Sequence, residues 1–219
     1  MSARLPLFPL PLVLFPGAPL PLHIFEPRYR QMLSDSLVGD RRFGILYRPD
    51  GVAELEIPSG HVGCVARVHT AEELPDGRSN IVVYGVERFA LRQFVSAPAP
   101  YHLGDVEPYE DLPEPGGTLA DVGARVRSLF ARVGRAARSL SDDFDPLPTL
   151  PDDDAMLSFA IASLIDLDAP KRQELLESRS PLDRLRRIDE LLARAVEPIE
   201  QRATVHSRAK SNGRGPHVA

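Results

Sequence analysis

The chain has 219 residues, of which 43% are hydrophobic and 26% charged, enough to bury a sizeable core in one or two domains without covalent staples. Its 26 basic and 31 acidic residues leave a formal charge of −5, which argues against a global pull toward nucleic acid or anionic membrane. A single cysteine, Cys64, excludes an internal disulfide framework and any multi-cysteine zinc or iron–sulfur site, and suits a reducing compartment. The only lysines are Lys171 and Lys210, and neither follows a glycine, so there is no Walker-type phosphate loop.

The first 25 residues are apolar enough to raise the question of a signal peptide. Seven prolines, from Pro6 to Pro27, interrupt them, and the longest proline-free apolar run there is Leu12-Val13-Leu14-Phe15. That is far short of a secretory h-region or a membrane span. The expected location is the cytoplasm, with no membrane association.

In chain order, Leu5–Phe8 and Leu12–Phe15 read as short extended pieces, with Pro16-Gly17 a turn. Pro27 opens a helix that carries Tyr29, Met32, Leu33 and Leu37 and stops at Gly39. Strands are predicted at Phe43–Tyr47, His61–His69, Ile81–Val86, Arg88–Val95 and Tyr101–Val106, with turn signals at Asp50-Gly51 and Asp76-Gly77. Six or seven short strands with one inserted helix predict a small barrel or a strongly curved sheet.

The seam at Glu110–Gly117 separates a helical half. Leu119, Val122, Val126, Leu129, Phe130, Val133, Ala137 and Leu140 share one helical arc, opposite Arg125, Arg127, Arg132, Arg135 and Arg138. An acidic loop follows over 142–154. Its last three aspartates suit the start of a helix running to about Leu167. Asp168-Ala169-Pro170 starts a short helix, and Ser180-Pro181-Leu182-Asp183 has capping-box spacing for a last one through Val196. The expected organisation is a β subdomain over 1–112, a helical bundle over 118–200, and a disordered basic tail over 201–219.

Chemistry is hard to find. The six histidines form no His-x-His or His-Glu-x-x-His pattern, so no metal site is expected. No Gly-x-Ser-x-Gly elbow and no Gly-x-Gly-x-x-Gly occurs, and Cys64 sits among valines as a packing residue. No catalytic residue and no cofactor is expected. The arginine row on the first long helix is a candidate for phosphates, yet it lacks interleaved aromatics for base stacking, so nucleic acid is disfavoured.

The unusual segment is Leu5 to Arg30, which ends Phe-Pro-Gly-Ala-Pro-Leu-Pro-Leu-His-Ile-Phe-Glu-Pro-Arg-Tyr-Arg. It resembles the opening signature of the LON substrate-binding domain, the N-terminal domain of Lon proteases and of standalone bacterial relatives. Val62–Val68, Val83–Phe89, Leu164, Lys171–Glu177 and Leu182–Leu185 extend the resemblance over roughly residues 4 to 200. It implies an α+β fold: a PUA-like small β-barrel followed by a C-terminal α-helical bundle. It also implies a non-catalytic module that binds unfolded polypeptide or a partner protein, in protein quality control. The ATPase and the Ser–Lys peptidase of Lon proteases are not expected here, because the phosphate loop and the peptidase lysine context are missing.

Much of the signature reads as architecture. Pro9, Pro16, Pro19 and Pro21 preset extended backbone, Gly17 permits a turn, and Leu7, Phe8, Leu14, Phe15, Leu22, Ile24 and Phe25 are core candidates. Glu26 and Arg28 flank the helix start and are placed to pair with other charges. The candidate peptide-binding residues are Phe25, Glu26, Arg28, Tyr29, Met32 and Tyr84, with Tyr47 and Tyr101 as further rim residues. An exposed apolar groove or pairing along an edge strand would take an extended peptide. The rival readings are a PUA-like RNA-binding module and an unrecognised hydrolase. Dimerisation through the helical half is left open by the sequence.

Overall fold

Turn chemistry and alternating apolar residues space six strands along the first half of the chain in the computed structural model, which describes residues 3–114, 117–141, 143 and 145–212. The strands are β1 (Ala3–Leu10), β2 (Pro19–Ile24), β3 (Arg42–Tyr47), β4 (Val62–Glu73), β5 (Ser79–Val95) and β6 (His102–Pro108), with α1 (Pro27–Val38) between β2 and β3. Four helices follow: α2 (Thr118–Ser141), α3 (Asp154–Leu164), α4 (Ala169–Glu177) and α5 (Pro181–Asn212).

The strands form one mixed α+β-type sheet in the order β2-β5-β4-β3-β1-β6. β1 runs parallel to β3 and every other pairing is antiparallel. Because β5 also pairs with β6, the ladder leads from β5 through β4, β3, β1 and β6 back to β5. Leu7, Leu46, Ile57, Val65, Phe89, Leu91 and Val106 form one buried hydrophobic cluster, each large side chain contributing about 2 kcal/mol of hydrophobic stabilisation.

Three departures from the sequence reading have local causes. β5 is a single 17-residue strand, where the sequence suggests two. Gly85 marks a close approach instead of a break. A Cβ there would meet the Phe15 carbonyl, and Gly17 N–H donates to Gly85 O at 2.9 Å while Gly85 N–H donates to Ala18 O at 3.0 Å. An extra residue on β5 between the Cys64–Arg88 and Ala66–Gly85 pairs lets the strand serve β2 with its first part and β6 with its second. Leu12–Phe15, read as extended, lies outside the named strands, while Pro19–Ile24 is one despite its prolines; β2 is an outer strand, where a missing N–H costs no ladder bond. Finally, α5 continues through Asn212, so residues 201–212 are helical and correct the expectation of disorder; 213–219 lie outside the described residues.

The chain divides into two compact units. The first holds the strands, α1 and Ala162–Arg179, so α4 belongs with the sheet and not with the helical half as the sequence suggests. Buried Arg88 on β5 accounts for that placement. Its guanidinium donates to Leu176 O and Ser178 O at 2.7 Å and to Asp111, neutralising carbonyls that end α4. Gln173 Nε2 donates to Val62 O at 2.9 Å. The second unit holds Pro113–Ile161 and the chain from Ser180. In it α2 and α5 pack together, burying Val126 and Phe130 on one and Leu185, Ile188, Leu192 and Val196 on the other. Fully buried Arg184 donates to Ser158 Oγ and Ala155 O and stacks 4.1 Å from Phe159, tying α5 to α3.

Candidate functional site

The helix signature at the start of α1 organises around a residue far away in sequence. Pro27 takes the first helical position, where its missing N–H is harmless, so Arg28 and Tyr29 emerge beside the 3-10 turn at Glu54–Glu56. Arg28 donates to both oxygens of Glu54, at 2.7 and 2.8 Å, and to Glu26 at 3.0 Å. The Tyr29 hydroxyl donates to Glu54 at 3.2 Å, and His102 donates from Nε2 at 2.8 Å.

Burial pushes the Glu54 carboxyl upward, but Arg28, His102 and Tyr29 together outweigh it and hold the group below its ordinary range. The same contacts push the Arg28 guanidinium up, with the Glu54 hydrogen bond the largest cause. Burial first, and then Glu54, push the Tyr29 hydroxyl up as well. A carboxylate saturated by four donors is a structural rivet with little capacity to act as a base.

Two candidate binding residues are therefore interior. Tyr29 is 2% exposed and Met32 fully buried; Tyr29 lies 4.1 Å from the Phe8 ring. The apolar face of α1 turns toward the core instead of outward to a peptide. Glu26 and Arg28 are partly exposed but engaged with each other and with Glu54. Of the predicted core residues, Leu7, Phe8, Leu14, Phe15 and Ile24 are buried, Leu22 is half-buried, and Phe25 is exposed. The rim candidates Tyr47 and Tyr101 are half-buried, and the Tyr101 hydroxyl donates to Asp35 at 2.8 Å.

Phe25 and Tyr84 are the two candidates that face solvent, at 59% and 42% exposure. The register explains how they come to share a surface. Pro19 lies opposite Tyr84, Pro21 opposite Val82 and His23 opposite Asn80, so these residues and Phe25 occupy a strip about 20 Å long on the outward face of β2 and β5. Across β5, Tyr84 pairs with Arg67 and Val82 with Thr70, while the His69 ring meets Tyr84 edge-on at 5.4 Å. His23 donates to Asn80 at 2.8 Å and lies 6.1 Å from the Phe25 ring. A concavity of about 490 Å³ lies mid-strip, lined by Pro21, His23, Thr70, Asn80 and Val82 among others. Val86 extends the apolar strip at 39% exposure.

Four arginines of the row on α2 face carboxylates. Arg125 pairs with Asp189, Arg127 with Asp154, Arg132 with Glu200 and Arg138 with Asp143. Elsewhere reactive groups are scarce. Burial pushes the Cys64 thiol up to about 12, and among the described residues no group of three or more His, Cys, Asp or Glu side chains could hold a metal ion. No helix among them is long and apolar enough to cross a membrane. Sequence reasoning missed Glu54 and His102, which lie 26 and 74 residues from Arg28 with no local motif around them.

The family described as the ATP-dependent protease La (LON) substrate-binding domain matches residues 4–194, and the chain belongs to that family. It is 25% identical over 212 residues to a Lon protease of Solibacter usitatus, covering 95% of this chain and 26% of that protein. With a Lon protease of Desulfovibrio desulfuricans it shares 31% identity over 223 residues, 96% of this chain and 24% of the other. The chain thus spans about a quarter of the length of these curated relatives. Among solved structures, it is similar to a Lon N-terminal domain protein from Xanthomonas campestris, with 26% identity, a TM-score of 0.58, and coverage of 85% of this chain and 96% of that one. The N-terminal domain of the Mycobacterium avium complex Lon protease shares the fold at a TM-score of 0.65 and 16% identity, over 87% of this chain and 98% of the other.

Proposed function

We propose that this chain is a non-catalytic polypeptide-recognition module, and that exposed apolar segments of its partners lie across the strip from Phe25 to Tyr84. The observation that carries the reading is the strip itself. Phe25, Tyr84 and Val86 stand exposed beside Pro19 and Pro21 on strands whose backbone is already ordered. Rigid aromatic and proline surface is the kind that binds apolar segments at low entropic cost. Membership of a substrate-binding domain family supports a protein substrate, and the circuit of pairings from β5 back to β5 supports a small closed PUA-like barrel as its frame. Recognition of this kind requires no cofactor. The RNA reading is weakened by the carboxylates that face four of the five arginines on α2.

The reading is tested by titrating the protein with a denatured, cysteine-alkylated polypeptide at low and moderate salt. Saturable binding that survives moderate salt, and that weakens about tenfold in the Phe25→Ser, Tyr84→Ser double variant (about 1.4 kcal/mol), supports it. Unchanged affinity in that variant, or binding only to single-stranded RNA with steep salt dependence, overturns it.

A further inference from the structure

We infer that the outer half of β4, His69–Glu73, is an acceptor edge that takes an extended, basic–apolar polypeptide segment as an added strand; the inference rests on the polypeptide-binding reading and specifies how the chain is held. β3 covers only the first half of β4, from Cys64 to Arg67. The last tie on that side is at Val68, whose N–H donates to Arg41 O at 2.9 Å and whose carbonyl accepts from Arg41 Nε at 3.1 Å. Beyond it β4 continues for five exposed residues with no strand on that side among the described residues.

Those five residues are held rigidly from the opposite side. β5 pairs with β4 out to Glu73–Ser79, and the turn is closed by Leu74 N–H donating to Arg78 O at 2.7 Å. The edge is therefore extended before anything binds, so an incoming strand alone loses conformational freedom. His69–Glu73 holds no proline, so every residue retains its N–H. β2 offers the contrast: two of its six residues are prolines, and its outward side is poor in donors.

Both faces beside the edge are hollow. Thr70 and Glu72 border the concavity of about 490 Å³ described above. Ala71 and Glu73 border a second one, of about 600 Å³, walled by Arg30, Leu33, Ser34 and Leu37 of α1. Side chains of an added strand alternate between the two faces, so each set has room. Charge selects the occupant. Glu72 and Glu73 have no ion-pair partner among the described residues, and their side chains stand off the two faces, leaving the outward backbone groups uncovered. A segment alternating β-forming apolar residues with lysine or arginine meets both demands.

The test uses the full chain and a labelled ten-residue peptide of alternating valine and lysine, its valine–glutamate counterpart, and two versions of the basic peptide N-methylated on alternate residues in opposite phases. An added strand bonds the edge through every second N–H, so one phase should weaken binding at least tenfold and the other less than twofold. Glu72→Lys, Glu73→Lys should reverse the preference between basic and acidic peptides. Hydrogen exchange should show new protection within 69–73. Equal affinity for the two methylated phases, or no change of preference in the charge-reversed protein, overturns the edge inference. If the denatured polypeptide binds while the valine–lysine peptide does not, the edge inference falls and the broader reading stands; if neither binds, both fall.

Discussion

Arg28 and Glu54 meet through two parallel hydrogen bonds of 2.7 and 2.8 Å, so the residue that looks like part of a recognition motif anchors a loop 26 positions away. Glu54 also receives Tyr29 and His102. Arg28→Ala leaves a mostly buried carboxylate with two weaker donors, and should cost about 1–3 kcal/mol of stability by denaturant unfolding. Arg28→Lys should recover only part of it, because a point charge cannot supply the fork. Affinity for denatured polypeptide at temperatures where the variant remains folded should be unchanged; a loss there with unaltered stability would return Arg28 to the binding surface.

Two groups with opposite chemistry make stability fall with acid in separate windows. Burial pushes the His61 imidazole below its usual value, against weaker opposing effects of Glu177 and the Tyr47 backbone. The unfolded chain then takes up protons first, so its contribution is complete above about pH 6.5 and is lost as pH falls below that. The Glu54 carboxylate is also held low, so its contribution is complete above about pH 4.5 and is lost as pH falls through its lower folded value. Melting temperature followed from pH 8 to 3 should show both losses. His61→Gln should flatten the part just below pH 6.5 and leave the loss below pH 4.5; identical profiles would refute the assignment.

Arg88 is 6% exposed and holds the end of α4. Arg88→Met removes the charge together with its bonds and leaves Asp111 and two helix-end carbonyls without that donor. A cost of about 3–5 kcal/mol is expected. Hydrogen exchange should accelerate first at residues 169–179, before the strands open; uniform acceleration would mean that Arg88 does not specifically anchor α4.

What the sequence made legible was local. Pro27, Asp168 and Ser180-Pro181 mark the starts of α1, α4 and α5 because capping involves neighbours within one turn; Asp168, for example, accepts from Lys171 N–H at 2.9 Å. The signature segment carried the family. Partners set by tertiary pairing stayed hidden. Helical periodicity gathered Tyr29 and Met32 on one face of α1 without saying that the face turns inward, and nothing near Glu54 or His102 announces their meeting. The carboxylate partners of Arg125 and Arg132 stayed hidden because Asp189 and Glu200 lie more than sixty residues on. Phe25, read both as core and as a binding candidate, is exposed, and only the β2–β5 register puts it on a common strip with Tyr84.

Gly85 is where the segment before β2 crosses β5. Its Cα approaches the Phe15 carbonyl so closely that any side chain would collide with backbone, which cannot swing aside as a side-chain tip can. Gly85→Ala should destabilise the protein by about 2–4 kcal/mol, well beyond the usual effect of glycine replacement in a strand, where alanine is normally favoured. Gly51→Ala provides the control, since no atom lies within 4 Å of the added carbon and the strain there comes from its positive φ of 81° alone. Equal costs for the two substitutions would show that the crossing at Phe15 is looser than described.

Cys64 offers a direct probe of opening. It is fully buried at the β3–β4 pairing, and burial pushes its thiol up to about 12, so both access and thiolate formation require the sheet to part. Alkylation at pH 8 should therefore be slow in the native protein and should accelerate with denaturant in step with global unfolding. Arg88→Met and Gly85→Ala should speed it in proportion to their loss of stability, because proximity to the opening strands links all three sites. Arg132→Ala, which breaks an exposed pair with Glu200 in the helical unit, should leave the rate unchanged. Rapid labelling of the unperturbed protein would mean that β3 and β4 separate locally, without unfolding of the rest.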